Sequence, residues 1–292
     1  MRSGNSQEGK KALSSLTMLK RSPTAIVGLI IVSAVILSGI FAPWISPYDP
    51  IKTDLYSRLE PPSKDHWFGT DKLGRDVLSR IIWGARVSLK VGVISVGIGM
   101  VIGVIIGLMG GYFGGITEKL IFSFVDLMLS IPPLLLALAI VATLGPGIRP
   151  VMTAVGISLI PIFARVARGS VLTVKEQNYV LSARALGASH LDIMLRHILP
   201  NILTPVIVMA TLYCAFAIIT EAALSFLGIG IQPPEPTWGA ILSQGQQQMR
   251  TAAWISTFSG LAITVTVLGF NLLGDGLRDL MDPNMRHVIQ SK

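Results

Sequence analysis

At 292 residues the chain is long enough for one or two soluble domains, but its composition excludes an ordinary soluble protein. Only 14% of its residues are charged, 51% are hydrophobic and the mean hydropathy is +0.64, where a soluble domain has about 25% charged residues. The net charge of +8 comes without the basic stripe and interleaved aromatics of a nucleic-acid surface, and the one cysteine, Cys214, excludes an intrachain disulfide.

A hydrocarbon core about 30 Å thick takes about 20 apolar helical residues to cross, and the sequence supplies such runs in order. The first, Pro23 to Pro43, follows Lys20 and Arg21 and is too long for a signal-peptide core, so it reads as a retained anchor. The second, Val91 to Gly115, carries no charge. The third, Leu120 to Leu144, holds Asp126 and the pair Pro132-Pro133; the fourth, about Ile148 to Ala164, ends at Arg165 and Arg168, placed to snorkel to headgroups. Ile202 to Leu227, with Glu221, and Ala252 to Leu273 complete an all-α polytopic membrane protein of six transmembrane helices. The divisions are a tail (1–22), a first span (23–43), an outer loop with an amphipathic helix (44–87), a five-span core (88–276) and a C-terminal tail (277–292).

Lys/Arg bias in short loops sets orientation. The N-terminal tail has Arg2, Lys10, Lys11, Lys20 and Arg21, and the loop between spans four and five has Arg165, Arg168, Lys175, Arg184 and Arg196, which puts both termini in the cytoplasm. The segment from Trp44 to Arg86 disagrees, since its seven Lys/Arg must lie outside; the other loops outvote it.

Gly99, Gly103, Gly107, Gly111 and Gly115 fall on one face of the second span and permit close helix approach, either within the chain or to a partner. Asp126 and Glu221, as carboxylates in spans, are candidates either for structural pairing or for a translocation pathway. Pro132 and Pro133 free backbone carbonyls near mid-membrane, either in a kink that lines a cavity or in one that only packs. From Asp76 to Lys90 an apolar face (Leu78, Ile81, Ile82, Ala85, Leu89) opposes a polar one (Asp76, Ser79, Arg80, Arg86, Lys90), the pattern of a helix on the membrane surface.

Between Thr173 and Pro200, Tyr179 to Leu186 reads as a short helix capped by Gly187, and Ser189 as the N-cap of a second. A short helix projecting from a bundle fits docking by a partner or interfacial packing. Catalytic signals are poor: the four histidines sit in loops or tails without metal spacing, and Gly4 to Lys11 nearly spells a phosphate loop but has Lys11 where Ser or Thr is required. Energy for any transport therefore has to come from a partner or an ion gradient. A secondary transporter would show internal repeats and several ionisable residues at mid-membrane, and neither is visible.

The chain resembles the C-type permease subunit of the dipeptide/oligopeptide/nickel group of binding-protein-dependent ABC importers, over about Leu19 to Pro283. The resemblance lies in Phe68-Gly69-Thr70-Asp71-Lys72-Leu73-Gly74-Arg75-Asp76-Val77-Leu78-Ser79-Arg80, Gly84 to Leu89, Asp126-x-x-Leu129-Ser130-Ile131-Pro132, Glu221 to Gly228, Trp238-Gly239 and Asn271 to Asp279. At the family's Glu-Ala-Ala signature this chain has Leu181-Ser182-Ala183, then Gly187 and His197-x-Leu199-Pro200. The Glu and the first Ala are replaced.

The resemblance implies a type I importer fold in the bacterial inner membrane, importing peptides or, alternatively, nickel, a metal chelate or glutathione. It also implies a second homologous permease, two cytoplasmic ATPase subunits that hold the ATP and magnesium, an external solute-binding protein, and no cofactor on this chain. Leu181, Ser182, Ala183, Arg184, Gly187, Leu199 and Pro200 become the expected ATPase-coupling residues. Gly69, Thr70, Asp71, Arg75 and Asp76 are the expected contacts for the binding protein or ligand, and Asp126, Pro132, Pro133 and Glu221 the expected pathway residues.

Overall fold

A computed structural model describes residues 23–281, and its membrane-crossing segments are helical apart from a break at 130–132. The two tails that carry Arg2 to Arg21 and the last eleven residues lie outside the described residues. In chain order the helices are α1 (Pro23–Ile40), α2 (Ala42–Ile45), α3 (Val77–Phe113), α4 (Gly115–Leu129), α5 (Pro133–Leu144), α6 (Ile148–Val174), α7 (Asn178–Ala185), α8 (His190–Phe226), α9 (Trp238–Gln247) and α10 (Ala253–Met281). Five of these are long and apolar enough to cross a membrane, and α4 with α5 makes a sixth crossing bent by 86°. The six-span expectation is met with that bent pair as the third.

The bundle is organised around α3 and α6. A Cβ on Gly99 would lie 2.7 Å from the Leu159 Cβ, one on Gly103 2.6 Å from the Phe163 Cβ, and one on Gly111 3.0 Å from the Val171 Cβ; one on Gly107 would meet the Ala164 carbonyl. The glycine face thus packs within the chain, backbone to backbone against α6, where dispersion contacts exceed what lipid offers. Gly115 does not belong to it. α3 stops at Phe113 with Gly114 as its C-cap at φ 67°, and Gly115 opens α4 at φ 57°. The same device recurs at α1, whose Ala25 and Gly28 meet Gly276, Leu272 and Leu273 of α10. α8 lies against α3, α6 and α10, and α9 sits between the ends of α8 and α10.

Three expectations are corrected. The stretch from Asp76 to Lys90 is no surface helix: it is the first part of α3, a single helix of 37 residues, and Asp76, Ser79 and Arg80 on its polar face are buried. The fourth span does not end at Arg165, since α6 runs on to Val174. Pro132 and Pro133 do not kink a continuous helix; they separate α4 from α5, with Pro132 at the N-cap position and Pro133 as the first helical residue, where its missing N–H has no helical acceptor to lose.

Overpacking the glycine face measures this architecture. Gly103→Val is expected to destabilise the purified protein by about 1–3 kcal/mol through forced separation of α3 and α6. Gly97→Ala, on the same helix with open space around it, is expected to leave the thermal unfolding midpoint unchanged or slightly raised. Equal loss in both would remove the close-packed face.

Candidate functional site

The segment 44–76 folds onto the first turn of α3 through buried charge. Asp71 accepts hydrogen bonds from its neighbours Leu73 N (2.8 Å) and Arg75 N (3.1 Å), and from the Arg75 guanidinium at 2.7 Å. Arg75 also donates to Gln244 of α9 at 3.1 Å, and Arg80 donates to the Pro50 carbonyl at 3.1 Å with its Nε 3.6 Å from Asp71. Asp76 caps α3 by accepting from Ser79 N at 2.7 Å, and its other oxygen lies 2.9 Å from His66 Nδ1. Trp254 of α10 donates to the Thr70 carbonyl at 3.2 Å. Gly69 takes φ 70° against Glu60 and Trp254, a backbone shape that costs other residues about 1–2 kcal/mol.

These five candidate contact residues, Gly69, Thr70, Asp71, Arg75 and Asp76, are all buried. The structure makes them a clasp that holds the loop to α3, α9 and α10, so they offer no surface to a docking protein. Gln244 and the helix that carries it went unread in the sequence, although Thr237, which caps α9 by accepting from Ala240 N at 3.1 Å, was the available signal.

Asp126 and Arg165 form an ion pair at 2.7 Å, both more than half exposed. Glu118 accepts from Arg168 Nε at 2.6 Å, and that guanidinium stands 4.6 Å from the Phe122 ring centre. Both arginines expected to reach headgroups instead tie α4 to α6. Asp126 is accessible beside the break at Ser130 to Pro132, whereas Glu221 is wholly buried and hydrogen-bonded by Ser225 (2.8 Å) and Ser88 (3.3 Å). Glu221 therefore joins α8 to α3 in the core and lines no open path in this structure, which separates it from Asp126.

At the opposite end of α3, helix α7 stands off the bundle. Its C-terminus is a complete Schellman motif: Gly187 N donates to the Arg184 carbonyl (3.0 Å) and Ala188 N to the Ala183 carbonyl (3.1 Å), with Gly187 at φ 81°. Ser189 caps the next helix by accepting from Asp192 N at 3.2 Å. That helix is not separate from the fifth span; it continues through a π-helical stretch, Ile193–Ile198, into α8. The coupling candidates are thereby divided. Leu181, Ser182, Arg184 and Gly187 are exposed on and after α7, with Ala183 half-buried, while Leu199 and Pro200 lie in the first turn of the long part of α8.

Three contacts gather the end of α6, the helix α7 and the start of α8 at the end of α3. Tyr112 Oη lies 2.8 Å from His190 Nδ1, Lys175 Nζ donates to the Gly111 carbonyl at 3.0 Å, and the Arg184 guanidinium stands 5.9 Å from the Tyr112 ring centre. Val180 is buried underneath, while Leu186 and Leu191 are exposed. Tyr112 and His190 carried no sequence signal, since neither lies in a motif. The outer face of α7 is therefore exposed while its inner face packs toward α3 and the start of α8.

Comparisons with known proteins agree with this geometry. Residues 99–287 match the model of the binding-protein-dependent transport system inner membrane component family, and residues 14–62 match the N-terminal TM domain of oligopeptide transport permease C. The chain is 46% identical over 268 residues to the dipeptide transport system permease protein DppC of Alkalihalophilus pseudofirmus, covering 92% of this chain and 88% of that one. It is 49% identical over 268 residues to the glutathione transport system permease protein GsiD of Shigella flexneri, covering 91% and 88%. A solved chain of the MetNI methionine ABC transporter, in inward-facing conformations, superposes with a TM-score of 0.58 at 19% identity over 70% of this chain and 97% of its own, a likeness of fold.

The chain belongs to the binding-protein-dependent transport system inner membrane components, in the C-type permease branch of the peptide ABC importers. It is a multi-pass inner-membrane permease subunit with the type I importer fold, and its family works with ATPase and binding-protein partners.

The clasp is open to direct test. Asp71→Ala would leave Arg75 and Arg80 buried without their carboxylate, a change expected to cost about 3–5 kcal/mol and to lower the thermal unfolding midpoint sharply. Asp65→Ala, exposed on the same loop, is expected to stay within about 0.5 kcal/mol.

Proposed function

We propose that this permease forms half of a pathway for short peptides, delivered by an external solute-binding protein and driven by two cytoplasmic ATPase subunits beneath this chain and a second homologous permease. Relatives named for a dipeptide and for glutathione, itself a tripeptide, match at similar identity, and short peptide is the class that covers both. An even number of crossings puts both termini at the α7 end, and Lys175, Arg184 and Arg196 at that end favour the cytoplasm.

The observation that carries the coupling is α7: its outer face is exposed, Val180 is buried beneath it and Arg184 stands over the Tyr112 ring of α3. ATP and magnesium belong to the ATPase subunits, and this chain performs no hydrolysis. Closure of the ATPases would move α7, α3 and α6 would follow as one unit, and the surfaces around the α4–α5 break would open to the ligand. The replacement of the family's Glu by Leu181 gives the ATPase an apolar contact where relatives of the motif present a charge. Asp126, beside Pro132 and Pro133, is the charged group positioned to face the ligand's path.

The test uses the whole importer in proteoliposomes. Gly187→Val forces a branched residue into the left-handed region, where non-glycine residues lose about 1–2 kcal/mol each. The turn that ends α7 would then be distorted, and solute-stimulated ATP hydrolysis should fall severalfold while the subunits still co-purify. Unchanged stimulation, or gradient-driven uptake by this chain without ATPases, would contradict the reading.

A further inference from the structure

Two adjoining cavities open on the flank of α3 at the end where the long loop sits. The smaller, about 440 Å³, is an apolar groove between α1 and α3, walled by Ile36, Ile40, Leu89, Val93, Ile94 and Phe270. The larger, about 830 Å³, lies beyond it toward the loop and includes Tyr48, Asp49, Trp83 and Glu235 in its wall. Arg86 and Lys90 line both, at the point where one passes into the other. Asp49 and Glu235 line the larger alone.

The charges around these cavities are not paired with one another. Arg86, Lys90 and Glu235 have no hydrogen-bond or ion-pair partner among the described residues, and Asp49 accepts only from the backbone N–H of Ile51, at 2.8 Å. Two cations and two carboxylates facing one cavity without contact leave room for an occupant that carries both signs. Depth fixes its orientation. Lys90 is the last charge on α3 before the uncharged run 91–113, which at about 1.5 Å per residue spans roughly 35 Å, the full hydrocarbon thickness. Gly39, near the end of α1, lies against the backbone of Arg86, and Phe41 and Trp44, exposed just beyond it, are the aromatics of a membrane interface.

From the membrane core outward the order is therefore apolar groove, cation pair, carboxylate pair. We infer that this flank is a binding site for one phospholipid with an aminoethyl phosphate headgroup. An acyl chain fills the groove, the phosphate bridges Arg86 and Lys90, and the primary ammonium donates to Asp49 and Glu235. An anionic lipid would satisfy the cations and leave two carboxylates facing it. A choline headgroup has the charge but no N–H to donate. The lipid would brace α1 against α3 below the clasp.

The assembled importer, stripped of lipid in detergent and then incubated with micelles holding equal phosphatidylethanolamine, phosphatidylglycerol and phosphatidylcholine, is read by native mass spectrometry. The expected result is one phosphatidylethanolamine retained per copy of this chain, in preference to either competitor by about tenfold. Asp49→Asn with Glu235→Gln should erase the preference over phosphatidylglycerol, and Arg86→Gln with Lys90→Gln should release all three. Lys64→Gln, on the same loop but outside both cavities, should change nothing. Three results would overturn the inference: equal retention of the three lipids by the unaltered protein, a short peptide in place of lipid that the same variants release, or a disulfide from Val93→Cys to the second permease, which would make the groove a subunit interface.

Discussion

Everything in this bundle depends on how closely α3 and α6 approach. Side chains are absent from Gly99, Gly103, Gly107 and Gly111, so the backbone of one helix rests on the Cβ atoms and carbonyls of the other over four successive turns. In a membrane, where lipid tails solvate apolar side chains as well as protein does, such close contact is a principal source of cohesion. Sliding or tilting one helix against the other would drive Leu159, Phe163 and Val171 into backbone. The pair therefore behaves as one rigid body, and the remaining helices are arranged on it.

Each end of that body is tied by polar contacts of a different kind. At the N-terminal end of α3, Asp71 is buried against Arg75 and Arg80, Asp76 caps the helix and meets His66, Arg75 reaches Gln244 of α9 and Trp254 of α10 donates to the Thr70 carbonyl, which fixes the long loop as part of the body. At the C-terminal end, the Gly111 carbonyl accepts from Lys175 at the end of α6, and Tyr112 meets His190 at the start of α8 and the Arg184 guanidinium of α7. The helix α7 itself packs on the π-helical stretch at the start of α8 and touches α3 through Arg184. The third crossing turns through 86° at Ser130 to Pro132, and α4 is held by the pairs Asp126–Arg165 and Glu118–Arg168 together with Phe122 and Val125 packed against Ala164 of α6.

The number and order of the crossings were legible because each is a run of apolar residues of membrane length, and the glycine spacing showed which face of α3 would pack closely. Gly187 and Ser189 were legible as caps because backbone geometry restricts those positions to few residue types. Burial of the polar face of Asp76 to Arg80 was not legible. Its alternation with Leu78, Ile81 and Ile82 is the pattern of a surface helix, and only the loop folding back over it, with Gln244 arriving from 169 positions away, turns it inward. The same holds for Arg165 and Arg168: a charge after an apolar run reads as a boundary, and what reverses that reading is a carboxylate on another helix. Gly115 fitted the four-residue spacing, but a period cannot see the chain reversal at Gly114.

The central claim is that α7 moves with α3 as one piece. With Cys214 buried, spin labels can be placed selectively at Ser182→Cys on α7 and Met109→Cys on the exposed side of α3, and their separation measured by pulsed electron resonance in the assembled importer with and without ATP. The account predicts a single distance that does not change with nucleotide, while the distance from Ser182→Cys to a label on the second permease does. A Ser182–Met109 distance that shifts or broadens when ATP binds would show that α7 swings on its own, and would contradict it.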